Sequence, residues 1–199
     1  VHRFYTPPDP DGSVFVLLHG SGGNETTLMP LLNKAAPRAT LLGVRGRATE
    51  EGFPRWYKRI TPFSFDQNDI KTEAEAFAAF IEGAVKSYGL DPQKVVYVGY
   101  SNGANLLNSL LYLHPNLVHK AVLLRSMPVL SDYPHADLKG TDLLVISGKT
   151  DAYGKYASEL EERLKSSGAT VDSDVIPGGH DLGDADIPII QKWLLQENR

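Results

Sequence analysis

Short apolar segments alternate along the chain with segments in which apolar residues recur at helical spacing. The apolar segments consist mostly of β-branched residues and leucine, and Gly, Pro, Asp or Arg bounds each of them. Continuous apolarity of this kind is typical of strands that are covered on both faces, as in a parallel sheet. We therefore predict strands over residues 14–19, 40–44, 94–100, 121–124, 143–147 and 171–176.

The segments between these strands predict helices. The clearest covers residues 69–88, where apolar residues recur every three or four positions until Gly89 ends the helix. In the last predicted helix, Asp186 is the expected N-cap. The alternation predicts a single α/β domain over residues 1–199, with three layers and a doubly wound, mostly parallel sheet of about six or seven strands. The other helices are predicted over residues 26–36, 102–113, 155–167 and 187–196.

Composition narrows the classes of function. The 199 residues include 20 Lys and Arg against 24 Asp and Glu, and this net charge of −4 argues against a nucleic-acid binder. The chain has no cysteine, which excludes a disulfide, a thiol nucleophile or a cysteine-ligated metal within it. No apolar run is long enough to span a bilayer, and residues 1–12 lack the apolar core of a signal peptide. We therefore expect a cytoplasmic protein.

A candidate nucleophile follows the strand predicted at residues 94–100. The run Gly99-Tyr100-Ser101-Asn102-Gly103 matches G-x-S-x-G, in which a strand turns sharply into a helix and the positions flanking the turn must be small. The serine hydroxyl then projects from the sheet at a helix N-terminus, which favours developing negative charge. The motif alone is weak evidence, because the serine could be only a helix cap. Its setting between an apolar strand and an apolar-periodic helix favours the nucleophile.

Two further polar residues follow later strands in the order Ser, Asp, His that a catalytic triad takes on such a sheet. Asp151 is the first carboxylate after the strand at residues 143–147, and His180 is the first titratable residue after the strand at residues 171–176. Active sites of open α/β sheets lie beyond the carboxyl ends of the strands, so we expect both residues to meet Ser101. His180 would accept the serine proton, and Asp151 would orient His180.

Both assignments have alternatives. Asp151 could be a turn residue or the N-cap of the following helix. Asp181 could be mistaken for the acid, although side chains adjacent in sequence rarely meet well. His135 is the serious rival to His180, because it lies in a loop on the expected face of the site.

The glycine-rich loop after the first predicted strand is the expected source of an oxyanion donor. Glycine lets backbone N–H groups approach a ligand closely, and an oxyanion needs two donors about 3 Å away. We assign one donor to Asn102 and the other to Ser21, with Gly22 as second choice. A nucleotide phosphate cradle is the competing interpretation, but no Lys follows the glycines, and Glu25 stands where the dinucleotide pattern needs glycine.

These motifs together resemble the α/β-hydrolase fold and, within it, the phospholipase/carboxylesterase family that includes acyl-protein thioesterases. The resemblance covers most of the chain. The chain is also similar to a bacterial subgroup of small esterases, some of which are linked to quinone or hydroquinone stress. It implies a serine hydrolase that acts on small-molecule esters without a metal or organic cofactor and is often a homodimer. It rests on residues 18–25, 44–47, 53–57, 99–105 and 179–180.

The chain departs from the family in two ways that bear on substrate. Tyr153 and Gly154 stand where many members have Val-Pro after the triad aspartate, and the chain is too compact for a large insertion that binds long acyl chains. We therefore predict a carboxylesterase for small or medium acyl groups that acts through an acyl-enzyme on Ser101. An acyl thioesterase or lysophospholipase is the alternative, followed by a non-catalytic ligand-binding homologue.

Two long connections, at residues 45–66 and 125–140, leave the carboxyl ends of strands and supply candidate substrate contacts. The first concentrates arginine, lysine and aromatic residues, which leads to the hypothesis that the acyl or leaving group is small, in some cases aromatic, and bears a carboxylate that an arginine holds. The alternative is that these arginines pair with the acidic residues Glu50, Glu51 and Asp66 and never meet substrate. The substrate-binding candidates are Gly22, Arg45, Arg55, Trp56 and Met127.

Overall fold

The computed structural model describes residues 1–198. Arg199, at which the predicted domain ends, lies outside the described residues. The helices are α1 (Met29–Ala35), α2 (Gln67–Tyr88), α3 (Asn102–Leu113), α4 (Ala157–Ser166) and α5 (Asp186–Leu194). The strands are β1 (His2–Tyr5), β2 (Val14–Leu18), β3 (Thr40–Val44), β4 (Ala48–Glu50), β5 (Phe53–Arg55), β6 (Arg59–Thr61), β7 (Ser64–Phe65), β8 (Val95–Tyr100), β9 (Lys120–Leu124), β10 (Asp142–Gly148) and β11 (Thr170–Ile176).

Seven strands form the main sheet in the order β1-β3-β2-β8-β9-β10-β11. β1 is antiparallel to β3, and the other neighbouring strands are parallel. Helices α2, α3 and α4 bury their apolar residues on one face, and α1 and α5 bury theirs on the other. In β2, Val14, Val16 and Leu18 join the first core while Phe15 and Leu17 join the second, which is why the strand is apolar at every position. The predicted doubly wound, three-layered sheet is confirmed.

All predicted strands are present, and their ends differ from the prediction by at most one residue. The expectation that each is covered on both faces is wrong for β11, because β11 lies at the edge of the sheet and is largely exposed. Its sequence contains Asp172, Ser173 and Asp174, which suit a solvated edge. Strand β1 and the hairpins β4-β5 and β6-β7 were not predicted, because they are short and carry no continuous apolar pattern.

The starts of α1, α2, α4 and α5 differ from the prediction. α2 begins at Gln67 rather than at residue 69, and α4 begins at Ala157 rather than at residue 155. α1 begins at Met29 rather than at residue 26, because Asn24 and Thr26 form a side-chain-bonded turn in which the Thr26 N–H donates to Asn24 Oδ1 (2.9 Å). Asp186 is not an N-cap, since it is a residue of α5 and its side chain is fully buried in an ion pair with Arg125. None of the helices in residues 1–198 combines the length and the apolarity needed to cross a membrane.

Candidate active site

Ser101 occupies a strained corner between β8 and α3. Its backbone has φ 49° and ψ −114°, a combination that costs free energy for a residue with a side chain. A Cβ atom at Gly99 would lie 2.6 Å from Ala104 Cα, and one at Gly103 would lie 2.3 Å from the carbonyl oxygen of Leu18. Glycine is therefore required at both flanking positions, as the motif predicts.

The loops after β10 and β11 bring the other two predicted catalytic residues to this corner. A Cβ atom at Gly148 would lie 2.1 Å from the Gly179 carbonyl oxygen, so only glycine lets the two loops meet. His180 Nδ1 lies 2.8 Å from Asp151 Oδ2, and His180 Nε2 lies 2.8 Å from Ser101 Oγ. With Nδ1–H donating to the carboxylate, Nε2 accepts the hydrogen bond of the serine hydroxyl. The structure thus places Ser101, Asp151 and His180 in one hydrogen-bonded chain.

Asp151 and His180 differ in their contacts from their respective rivals, Asp181 and His135. The Asp151 carboxylate is almost wholly buried, and its second oxygen accepts a hydrogen bond from the Tyr153 N–H (2.9 Å). The backbone carbonyl of Asp181 instead accepts a hydrogen bond from Arg125. His135 lines a separate groove beside Arg163 and is not part of the hydrogen-bonded chain.

The two expected oxyanion donors both belong to the wall of a cavity of about 310 Å³, here called the Ser101 cavity. Asn102 is the first residue of α3, so its N–H has no acceptor within the helix. The Ser21 N–H makes no hydrogen bond to the described part of the chain. Gly22 is not available as the second choice, because its N–H donates to the Pro54 carbonyl oxygen (2.9 Å). The lining residues are Ser21, Arg55, Tyr57, Arg59, Pro62, Phe65, Tyr100, Ser101, Asn102, Asn105, Arg125, Met127, Tyr153 and His180.

Of the other substrate-binding candidates, Arg55 and Met127 line the Ser101 cavity, whereas Arg45 and Trp56 do not. Arg45 Nη2 donates to Glu25 Oε1 (2.8 Å), so its guanidinium is engaged away from the cavity. Trp56 is 3% exposed and donates its indole N–H to the His19 carbonyl oxygen (2.8 Å), which makes it a support of the loop. These two side chains carry out packing and pairing instead of contacting the cavity.

His19 ties the glycine-rich loop after β2 to the loop between β3 and α2. Its Nδ1 donates to the Gly20 carbonyl oxygen (2.6 Å), and its Nε2 accepts a hydrogen bond from the Gly46 N–H (3.0 Å). Burial lowers the pKa of His19, which favours the neutral ring that this pair of bonds requires. The sequence analysis did not identify this role, although a histidine at the end of an apolar strand was a signal for it.

Arg125 and Asp186 form a fully buried ion pair that the sequence analysis missed. Arg125 Nη1 and Nη2 donate to the two carboxylate oxygens of Asp186 at 2.8 and 3.0 Å. Arg125 also donates from Nε to the Gly179 carbonyl oxygen and from Nη2 to that of Asp181, both at 3.1 Å. The guanidinium therefore holds the backbone on both sides of His180. A charged residue directly after a buried strand was the signal that could have revealed it.

Comparison with known proteins agrees with this fold. No protein-family model matches the chain. The MhqD protein of Bacillus subtilis (strain 168), a hydrolase by its name, is 34% identical over 183 residues, which are 91% of this chain and 92% of that protein. A carboxylesterase structure from Mesorhizobium loti is 46% identical with a TM-score of 0.95, over 98% of this chain and 93% of that one. A carboxylesterase structure from Bacillus cereus is 32% identical with a TM-score of 0.93, over the same shares.

Proposed function

The chain belongs to the carboxylesterase family of the α/β-hydrolase fold, and on that basis we propose that it hydrolyses small-molecule carboxylic esters through an acyl-enzyme on Ser101. Membership makes it a hydrolase, and the serine mechanism is the proposal. The observation that supports it is the unbroken chain of hydrogen bonds from Ser101 Oγ through the His180 ring to the Asp151 carboxylate, with both contacts at 2.8 Å. A serine held at a strained corner with a base and an orienting carboxylate is the arrangement that nucleophilic acyl transfer needs.

In the acylation step, Ser101 Oγ attacks the ester carbonyl carbon and its proton passes to His180 Nε2. The carbonyl oxygen becomes an oxyanion, which the N–H groups of Ser21 and Asn102 stabilise. The bond to the alcohol oxygen then breaks, and His180 returns the proton to the leaving alcohol. Asp151 stabilises the imidazolium while it exists.

Deacylation repeats these steps with water in place of the alcohol. His180 removes a proton from a water molecule whose oxygen attacks the acyl carbonyl carbon. When the bond to Ser101 Oγ breaks, His180 returns the proton to the serine, and the carboxylic acid leaves. The same residues therefore act in both half-reactions.

The size of the Ser101 cavity supports small or medium acyl groups. Its volume of about 310 Å³ is at the lower end for ligand sites, and arginines form part of its wall. We expect the best activity with small or medium acyl groups and a loss of activity for long chains. This disfavours a long-chain lysophospholipase. A homodimer and a cytoplasmic location stay predictions from the sequence.

The experiment that tests the mechanism is covalent labelling with a fluorophosphonate probe, followed by mass mapping of the labelled peptide. We expect label on Ser101 and its loss in His180→Ala, because the hydroxyl needs the base to become nucleophilic. We also expect Ser101→Ala to lower kcat for a short-chain ester by about four to six orders of magnitude.

Circular dichroism and thermal unfolding of both variants serve as the control for folding. Label on another residue, or ester hydrolysis retained by a folded Ser101→Ala variant, would contradict the mechanism.

A further inference from the structure

The wall of the Ser101 cavity carries more positive than negative charge. Three guanidinium groups line it, and among the described residues no carboxylate does. Arg125 is neutralised by Asp186, which pairs with it outside the wall. The other two, Arg55 and Arg59, share the single carboxylate of Glu50, at 3.1 Å from Arg55 Nε and 2.9 Å from Arg59 Nη2. The three guanidinium groups of the wall thus share two carboxylates as counter-ions.

Arg55 is the member of this group best placed for a ligand. The residue is 6% exposed, and its Nη1 donates to Ser21 Oγ (2.9 Å) in the loop that supplies the proposed oxyanion donor. Its Nε donates to the Tyr57 carbonyl oxygen (3.5 Å) and lies 3.1 Å from Glu50 Oε2, to which it makes no hydrogen bond. Its Nη2 donates to no residue in the described part of the chain. The Nη2 donors of this buried guanidinium are therefore left without an acceptor from the described residues.

Burial raises the free energy of the positive charge on Arg55 that Glu50 does not neutralise. It lowers the pKa of Arg55, and Glu50 only partly opposes this effect. A buried cation gains most from a second anion, and a carboxylate matches the planar donors of a guanidinium with its two oxygens. An anionic group entering the cavity would complete the charge balance of the wall.

A neutral donor belongs to the same wall. Tyr57 is fully buried, and its hydroxyl makes no hydrogen bond of acceptable geometry to a described residue. Burial raises the pKa of this hydroxyl, so it stays protonated and able to donate. The hydroxyl oxygen is out of reach of a ligand in the cavity, and its neighbouring side-chain groups are the amides of Asn105 and Asn102, so the unneutralised charge of Arg55 is the feature of the wall that is open to a ligand.

We propose that Arg55 forms a carboxylate-binding subsite, and that the substrates are short-chain esters with a carboxylate a few carbon atoms from the scissile carbonyl. The inference rests on the proposed function, since Ser101 fixes where the ester lies. Arg45 and Arg47 of the same loop do not compete for this role, because each is paired with a carboxylate away from the cavity. Arg45 is bonded to Glu25, and Arg47 Nε and Nη2 both donate to Glu73 at 2.9 Å.

The test compares two pairs of esters that differ in charge but hardly in shape. Ethyl hydrogen succinate and ethyl levulinate place the carboxylate or a methyl ketone on the acyl side. Acetoxyacetate and acetoxyacetone place them on the alcohol side. We expect kcat/KM to be about ten-fold or more higher for the anionic ester of at least one pair, and Arg55→Gln to bring this ratio close to one, mainly through KM. Arg47→Gln is the matched control and should keep the wild-type ratio.

Equal kcat/KM for both members of each pair in the wild type would overturn the subsite. It would also be overturned if Arg55→Gln lowered kcat equally for charged and neutral esters, because Arg55 would then only hold Ser21. Glu50→Gln tests the same charge balance in the other direction. Removing the competing carboxylate should lower KM for the anionic ester, and an unchanged charge preference in a folded Glu50→Gln protein would count against the proposal.

Fluorophosphonate labelling separates this proposal from the one on which it rests. Label on Ser101 together with no preference for charge would overturn the subsite alone. Absence of label in the folded wild-type protein would overturn the serine mechanism itself.

Discussion

Arg55 and Arg125 come from the two loops that overhang the same serine, and both line its cavity. They are buried to a similar extent, at 6% and 2% exposed. Arg125 pairs with the carboxylate of Asp186, which no other arginine shares, and it also donates hydrogen bonds to backbone carbonyls. Arg55 shares Glu50 with Arg59. A buried charge with a complete set of partners acts as a structural clamp, whereas one with an incomplete set can still bind a ligand.

The largest effect should come from removing the partner of Arg125. We expect Asp186→Leu to lower the free energy of unfolding by about 3–5 kcal/mol, because it leaves a buried guanidinium without its counter-ion. Urea denaturation followed by circular dichroism measures this loss. A loss of less than about 1 kcal/mol would mean that water or another group takes the place of the carboxylate.

The double variant Arg125→Met with Asp186→Leu separates stability from catalysis. Replacing both members of a buried pair by apolar residues should recover most of the lost stability. Its kcat should nevertheless stay well below that of the wild type, since the carbonyls of Gly179 and Asp181 have lost the Arg125 donors that hold the loop of His180. Full recovery of kcat would show that the ion pair does not position the histidine.

A smaller effect is expected from Arg125→Lys, which keeps the charge but loses the planar fork. A lysine can pair with Asp186 but cannot also reach the carbonyls on both sides of His180. We expect kcat for a neutral ester to fall about ten- to a hundred-fold with little change in KM, because a small displacement of the base is costly. An equal loss of kcat in Arg125→Lys and in the surface variant Lys34→Arg would mean that the loss comes from the preparation of the variants and not from the missing guanidinium.

The smallest effect should come from the ion pair of Arg45 and Glu25, which is partly exposed. We expect Arg45→Met to cost less than about 1 kcal/mol near neutral pH and to leave the charge preference for esters unchanged. The hydrogen bonds from Arg45 hold the pKa of Glu25 below its ordinary value of 4.5. The pair therefore stabilises the fold above that value, and its contribution is lost as the pH falls through the lowered pKa.

Thermal unfolding of the wild type and Arg45→Met between about pH 7 and pH 3 measures this difference. The gap between the two proteins should shrink toward acid pH. A gap that widens there would have the opposite sign and would exclude this ion pair as its source.

The sheet and the three catalytic candidates could be predicted because each depends on a short stretch of sequence. Apolar runs indicate strands, and Ser101, Asp151 and His180 each follow a strand whose carboxyl end reaches the same edge. Arg125 and Asp186 are separated by 61 positions, so no local pattern links them. Asp186 was therefore interpreted as an N-cap, which is what an aspartate before a helix suggests in isolation.

The same limit applies to the arginines between β3 and α2. Their number and their position near the site were evident in the sequence, but the partner of each was not. Glu50 was among the expected partners, whereas Glu25 and Glu73 were not. Because Glu25 and Glu73 are taken by Arg45 and Arg47, only Arg55 and Arg59 are left to share one carboxylate at the cavity.

The sequence by itself determined the α/β sheet, the strained corner at Ser101 and the order of the three catalytic candidates. These follow from local sterics and from periodic burial, such as the lack of room for a side chain at Gly99 and Gly103. The tertiary structure decided which charged residues are satisfied by the protein and which remain for a ligand. That outcome depends on distances between residues far apart in the chain, because a guanidinium is neutralised only by the carboxylate that lies beside it in space.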